Sequence, residues 1–380
     1  MDESNRMICL IGIYLCAFVV TAALTPAAIA LAKKTGAMDV PKDARRIHTK
    51  PIPRIGGTAI FAGVTIAVAL ALFLGFLEGE NVTTSKILGI LVGGVLIYIL
   101  GTIDDFKDLP APVKLAGQIG CAMVVFFAGN RIDFIANYFG EGTQQLAGVV
   151  GFIITVIWIV AITNTINLVD GADGLAAGIV AIASLCIAYV AYIFGYYPGC
   201  ICMLAVAGGA LGFLPFNFYP AKTFMGDGGA LFLGFMIANF SILEPVKRAT
   251  MVAVLIPALV LALPIFDTLW AIIRRKINGR PVMQADSEHI HHRLLRAGMG
   301  QRRTVLCMYG VCGIMGTAAV LLSRELYVEA TGLMAVAAMY VFIVMTDVHT
   351  KSPRIKEKMT KKMNDRKHNI LRPKGAFLMI

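Results

Sequence analysis

Six aspartates fall in three short segments of this chain, at spacings with little use on a solvated surface. Asp104, Asp105 and Asp108 form an Asp-Asp-x-x-Asp run within residues 101–108. Asp170 and Asp173 lie in 164–175, which reads Asn-Thr-Ile-Asn-Leu-Val-Asp-Gly-Ala-Asp-Gly-Leu. Asp227 lies in 217–229, which begins at Asn217 and carries Lys222 and Phe224 ahead of Gly226. Adjacent carboxylates repel, and each one beside apolar surroundings costs desolvation energy unless a cation compensates. A small all-oxygen set of this kind suits Mg²⁺, which keeps waters and takes substrate phosphates as further ligands. Asp and Asn also cap helices, which would account for any one of these residues but poorly for all of them.

Basic residues and glycines surround the acids. Arg45, Arg46, His48, Lys50 and Arg54 precede Gly56-Gly57, Lys114 follows the first acidic run, and Lys222 precedes Asp227. The repeated Asp-Gly unit at 170–174 favours tight turns with positive φ, and such turns present backbone N–H groups to anions. Acids, a divalent cation and Lys or Arg together are the grammar of phosphoryl transfer, which works mostly by positioning and charge neutralisation. The spacing does not match a P-loop, so a conventional NTPase is excluded. A fourth cluster, His289, His291, His292 and Arg293, has no Cys partner and no second His group to make a zinc site. It reads as donors to a diphosphate.

These clusters are mounted in an apolar frame. Of 380 residues, 58% are hydrophobic and 15% charged, against roughly 25% charged in soluble chains. Eleven candidate spans lie over 8–32, 55–77, 85–103, 114–129, 148–166, 174–195, 199–216, 228–243, 249–273, 304–322 and 327–346. The sequence therefore predicts an all-α polytopic membrane protein, with one catalytic domain over 1–346 and a basic cytosolic tail over 347–380. Assigning alternate loops to opposite sides divides Lys and Arg 28 to 6. By the positive-inside rule this places the N-terminus outside and the C-terminus in the cytosol. The aspartate and histidine clusters then all open on the cytosolic face. The formal charge of +11 reflects this arrangement and does not mark a nucleic-acid binder.

At these clusters the chain resembles the polyprenyl-phosphate N-acetylhexosamine-1-phosphate transferases. The shared motifs are DDxxD at Asp104, NxxNLxDGxDGL from Asn164, PAKxFMGDxG from Pro220, HIHHRL from His289, and the Pro41 to Gly57 stretch. They run from the first helix to about Thr304. The form of the first-loop ending, 53–57, and of HIHHRL favours the N-acetylglucosamine branch over its sister, the phospho-MurNAc-pentapeptide transferases. The resemblance implies a multi-pass protein of the bacterial cytoplasmic membrane that takes UDP-N-acetylglucosamine and undecaprenyl phosphate and releases UMP with Mg²⁺ or Mn²⁺. It implies the first membrane step of a cell-envelope glycopolymer, such as teichoic acid or an O-antigen. It makes Asp227 and Asp104 metal ligands, and Asp104, Asp105 and Asp227 the catalytic set. Lys50, Lys114, Asn164, Asn167, Asp170, Asp173, Asn217, Lys222, Phe224 and the His289–Arg293 group fall to the substrates, with Phe224 against uracil.

Both direct attack by the lipid phosphate and a two-step route through an aspartyl phosphate satisfy these residues. Asp267, an acid inside the ninth span, is a functional candidate by position. It serves equally as a partner for the histidine loop or as a salt-bridge anchor. Gly89 and Gly93 read as a helix-packing pair, residues 129–147 as an outer loop with a short hairpin, and the tail as a partner of anionic lipid. A homodimer is compatible with the chain. A transporter is the rival class, disfavoured because the acids gather at one face and no paired broken helices mark the midplane.

Overall fold

The computed structural model describes residues 3–40, 51–79, 82–136, 143–243, 250–277, 279, 289–344 and 346. Lys50 with its basic neighbours in 41–50 and the tail 347–380 lie outside the described residues. The apolar runs fold as helices α1 (Glu3–Thr35), α2 (Gly57–Phe73), α3 (Thr84–Lys107), α4 (Ala111–Phe127), α5 (Gly148–Val169), α6 (Leu175–Ile193), α7 (Tyr197–Asn217) and α8 (Gly226–Ser241). They continue as α9 (Thr250–Val260), α10 (Ala262–Ile277), α11 (Ile290–Arg296), α12 (Gln301–Ser323) and α13 (Tyr327–Val344). Seven of them, α1, α3, α5, α6, α7, α12 and α13, are long and apolar enough to cross a membrane. Helices close their own backbone hydrogen bonds, as hydrocarbon demands, and α1 presents Ile8, Ile11, Leu15 and Val19 outward. The protein is a multi-pass membrane protein.

Ten of the expected spans each meet one helix. The ninth does not: it is broken at Leu261 into α9 and α10. Pro264 has no N–H to offer the carbonyl of Val260, so the ladder is interrupted where the two helices meet. The histidine cluster, expected only as loop, forms the short helix α11. The outer hairpin is present as β3 (Phe134–Ala136) paired antiparallel with β4 (Thr143–Gln145). A second small ribbon pairs β1 (Met38–Asp39) with β2 (Ile52–Pro53).

Helix α8 is the axis of the molecule. Every residue from Gly228 to Ser241 is buried, enclosed mainly by α3 and α5 with α2 and α7 beside them. The Trp158 indole on α5 donates to the carbonyl of Ala238 on α8 at 3.1 Å. On α3, Gly93 meets the Phe235 ring, where a Cβ would lie 2.7 Å away, so this glycine packs helices as expected. Two turns on, a Cβ at Gly101 would stand 2.6 Å from the Asp227 carbonyl oxygen. Only a glycine lets α3 and the first turn of α8 touch there, and that contact brings the acids of α3 to the acid of α8.

Candidate active site

The carboxylates meet where α3 ends and α8 begins. Asp104 and Asp105 are both buried. Asp105 is fully engaged: Oδ1 accepts from Arg54 Nη2 at 3.0 Å and from the Asp227 N–H at 2.9 Å, while Oδ2 accepts from the Gly228 N–H at 3.1 Å. It thus caps the N-terminus of α8 from another helix, supplying the acceptor that its own N-cap residue, Met225, does not.

Asp104 turns the other way. Its Oδ1 accepts from the Leu109 N–H and its Oδ2 pairs with Lys114 Nζ, both at 2.7 Å. The same ammonium reaches Asn167 Oδ1 at 3.1 Å and Asp227 Oδ2 at 3.5 Å. Asn167 in turn donates from Nδ2 to Asp227 Oδ1 at 2.5 Å. Three oxygens from α3, α5 and α8 therefore converge on one positive charge supplied by α4. One turn further from the mouth, Asn164 and Gln118 exchange amide hydrogen bonds, aligning α5 with α4.

The Asp-Gly loop closes the site. Half-buried Asp170 has its carboxyl pushed well above the ordinary carboxylate range by desolvation, then by the charges of Asp227, Asp105 and Asp173. Asp170 therefore lies within electrostatic reach of three other acids. Asp173 Oδ2 accepts the Ala221 N–H at 2.9 Å, and Asn217 accepts the Gly174 N–H at 3.1 Å while donating to the Thr223 carbonyl at 3.0 Å. These two side chains fasten the loop after α5 to the loop after α7. Phe224 is tied by its backbone to Pro53 and Gly56. Lys222 Nζ lies 6.0 Å from the Phe216 ring centroid, apart from the carboxylates.

In α11, His291 is 2% exposed, with Nε2 lacking any hydrogen-bond partner. Its ring lies on Gly171, where a Cβ would come within 2.5 Å of that nitrogen. Desolvation, then the neighbouring His292 and His289, depress its pKa to about 3, so it is neutral at any physiological pH. The rings of His291 and His292 are 4.2 Å apart. Arg293 sits in the same turn, and its N–H bonds the His289 carbonyl at 3.0 Å.

The structure thus gathers Asp104, Asp105, Asp227, Lys114 and Asn167 into one network. Asn164, Asp173 and Asn217 brace it, Asp170 and His291 adjoin it, and Lys222 does not join it. One contributor was missed, and the partner of another was not read. Gln118 carried a signal, a polar residue one turn after Lys114 in an apolar helix. Arg54 stood among the basic residues, yet nothing local tied it to Asp105, 51 positions away.

The donor set fits a hard divalent cation. It is all oxygen, and it already surrounds a positive charge. Mg²⁺ takes one or two carboxylates plus substrate phosphates, and Asp104 and Asp227 supply two carboxylates here.

Known proteins resemble this chain along most of its length. The family model for glycosyl transferase family 4 matches residues 87–244, from α3 through α8. The chain is 38% identical over 322 residues to a probable undecaprenyl-phosphate N-acetylglucosaminyl 1-phosphate transferase of Bacillus subtilis, covering 85% of this chain and 87% of that one. It is 35% identical to a decaprenyl-phosphate N-acetylglucosaminephosphotransferase of Mycolicibacterium smegmatis, over 82% and 80% of the two chains. A phospho-N-acetylmuramoyl-pentapeptide-transferase of Anoxybacillus flavithermus is 30% identical, over 78% and 92%. With similarity this extensive, reaching well beyond the acidic motifs, the chain belongs to the polyprenyl-phosphate N-acetylhexosamine-1-phosphate transferases of glycosyl transferase family 4.

Proposed function

We propose that this protein transfers N-acetylglucosamine 1-phosphate from UDP-N-acetylglucosamine to undecaprenyl phosphate, at the cytosolic face of a bacterial cytoplasmic membrane. The observation that carries the reading is the convergence of Asp104, Asn167 and Asp227 on Lys114 at the mouths of four helices. The 38% and 35% identity to the Bacillus subtilis and Mycolicibacterium smegmatis N-acetylglucosamine relatives, against 30% to the MurNAc-pentapeptide relative, favours the donor sugar.

The reaction is an in-line displacement. A lipid phosphate oxygen bonds to the β-phosphorus of the donor, the bond from that phosphorus to the bridging oxygen breaks, and UMP departs with the electron pair. A phosphomonoester has its second pKa near 6, so the nucleophile is mostly dianionic at neutral pH and needs little help from a base. Mg²⁺ or Mn²⁺, held by Asp104 and Asp227, would supply charge neutralisation to the diphosphate. Lys114 is placed to share that load, Asn167 fixes the Asp227 carboxylate, and Asp105 with Arg54 fixes the turn that bears it. The histidine helix lies against the same Asp-Gly loop, its His291 ring on Gly171, where it would serve as a donor to the diphosphate or sugar.

The test is product analysis. Purified protein in lipid is incubated with undecaprenyl phosphate and, separately, UDP-N-acetylglucosamine, UDP-N-acetylgalactosamine and UDP-MurNAc-pentapeptide. UMP and a lipid-linked sugar diphosphate are expected with the first donor. Turnover of the pentapeptide donor alone would move the protein to the sister branch. Absence of UMP with every donor would sink the reading.

A further inference from the structure

Helix α10 divides sharply by face. Phe266, Leu269, Trp270 and Ile273 are exposed, whereas Leu263, Pro264 and Ala271 are buried, and Asp267 is buried with them at 8% exposure. A carboxylate in that setting must be bonded or it is ruinous. Its partners lie 22 and 23 positions on. Asp267 Oδ1 and Oδ2 accept the Ile290 N–H at 3.1 and 3.2 Å, and Oδ2 lies 3.0 Å from His289 Nδ1. Against an ionised carboxylate, Nδ1 of His289 is the donor of this contact.

The two bonds grip the residues at which the chain turns into α11. His289, its N-cap residue, makes no capping bond of its own, and Asp267 supplies it from α10. Two residues later the His291 ring lies on Gly171 of the Asp-Gly loop, nearly parallel to the His289 ring at 6.0 Å and 5°. Rotating α11 by one position would bring His292 to Gly171 and expose Ile290 and Leu294, which are buried.

We infer that Asp267 is a positioning residue for the transfer reaction: it fixes the orientation of His289 and the register of α11, and so sets the histidine cluster against the loop of Asp170 and Asp173. The inference rests on the proposed transfer for its kinetic arm alone. Asp267→Asn is the informative change. The amide oxygen still accepts the Ile290 N–H, so the fold is kept, but its NH₂ group now faces His289 and demands an unprotonated Nδ1.

Three measurements on the full chain in lipid test it. Nitrogen-15 solid-state NMR at pH 8 on labelled histidine, with His289→Gln for assignment, is expected to show His289 Nδ1 protonated in the parent and unprotonated in Asp267→Asn. Turnover is expected to fall about 10- to 100-fold in Asp267→Asn, with the KM for polyprenyl phosphate within about twofold and the melting temperature nearly unchanged. Asp267→Ala and His289→Ala are expected to cost no more together than the worse of the two alone. An unchanged His289 tautomer, turnover within twofold of the parent, or losses that multiply in the double variant would each overturn the inference. If the parent itself makes no UMP, the transfer reading fails, while the NMR result still decides the Asp267–His289 link.

Discussion

Asp104 and Asp105 are neighbours in sequence with opposite employment. Asp104 faces the convergent oxygens and Lys114, whereas Asp105 is spent on Arg54 and the first turn of α8. Their substitutions should therefore fail differently. Asp227→Ala or Asp104→Asn is expected to lower kcat at least 100-fold, about 2.7 kcal/mol of transition-state stabilisation, with a normal melting profile. Near-parental turnover of Asp227→Ala at limiting Mg²⁺ would refute its assignment as a ligand. Asp105→Ala is expected to cost about 1–3 kcal/mol of stability, because two buried N–H groups and Arg54 lose their acceptor. Thermal unfolding in detergent reads this, and an unchanged midpoint would contradict the capping role. Chelation by EDTA should abolish turnover and added Mg²⁺ restore it; activity that survives EDTA would remove the metal from the mechanism.

At the scale of elements, the site depends on how closely α3 and α8 approach. Gly101→Val would force its side chain into the Asp227 carbonyl and part the two acids of α3 from the acid of α8. Such a variant is expected to insert normally and lose nearly all turnover, whereas full activity would show that the contact is dispensable. Much of this was legible in the residues. Asp-Asp, Asp-Gly and Gly-Asp-Gly at helix mouths announced charge chemistry, and Asp267 stood out as an acid in an apolar run. What the residues withheld was pairing at a distance. The link from Asp105 to Arg54 and the amide exchange of Gln118 with Asn164 join elements whose contact no local pattern records, whereas a partner in the histidine loop was one of the readings open for Asp267. The break at Leu261 was readable from Pro264 but was masked by the unbroken hydropathy of 249–273. The α11 helix is only seven residues long, too short and too polar for periodicity to show.

At the scale of the whole molecule, the 28 to 6 division of Lys and Arg sets an orientation that fusions can test. A fluorescent reporter that folds only in the cytosol should light up at the C-terminus, and alkaline phosphatase should be active when joined before Glu3. The reverse pattern would overturn the topology. All four polar clusters occur at helix mouths that alternate along the chain, so one orientation delivers every one of them to the same compartment.

Helix α8 has only 16 residues and rises about 24 Å, less than the about 30 Å of hydrocarbon in a bilayer. The end bearing Asp227 lies between longer helices, α3 and α5, and the Asp227 side chain is 33% exposed there. An acceptor whose phosphate rides at headgroup depth then need not climb out of its leaflet to react. Encounter becomes a two-dimensional search, and velocity should follow the mole fraction of polyprenyl phosphate in the vesicle. Adding inert phospholipid at constant bulk acceptor would slow the enzyme by surface dilution. A rate indifferent to that dilution would mean that the acceptor is taken from the aqueous side.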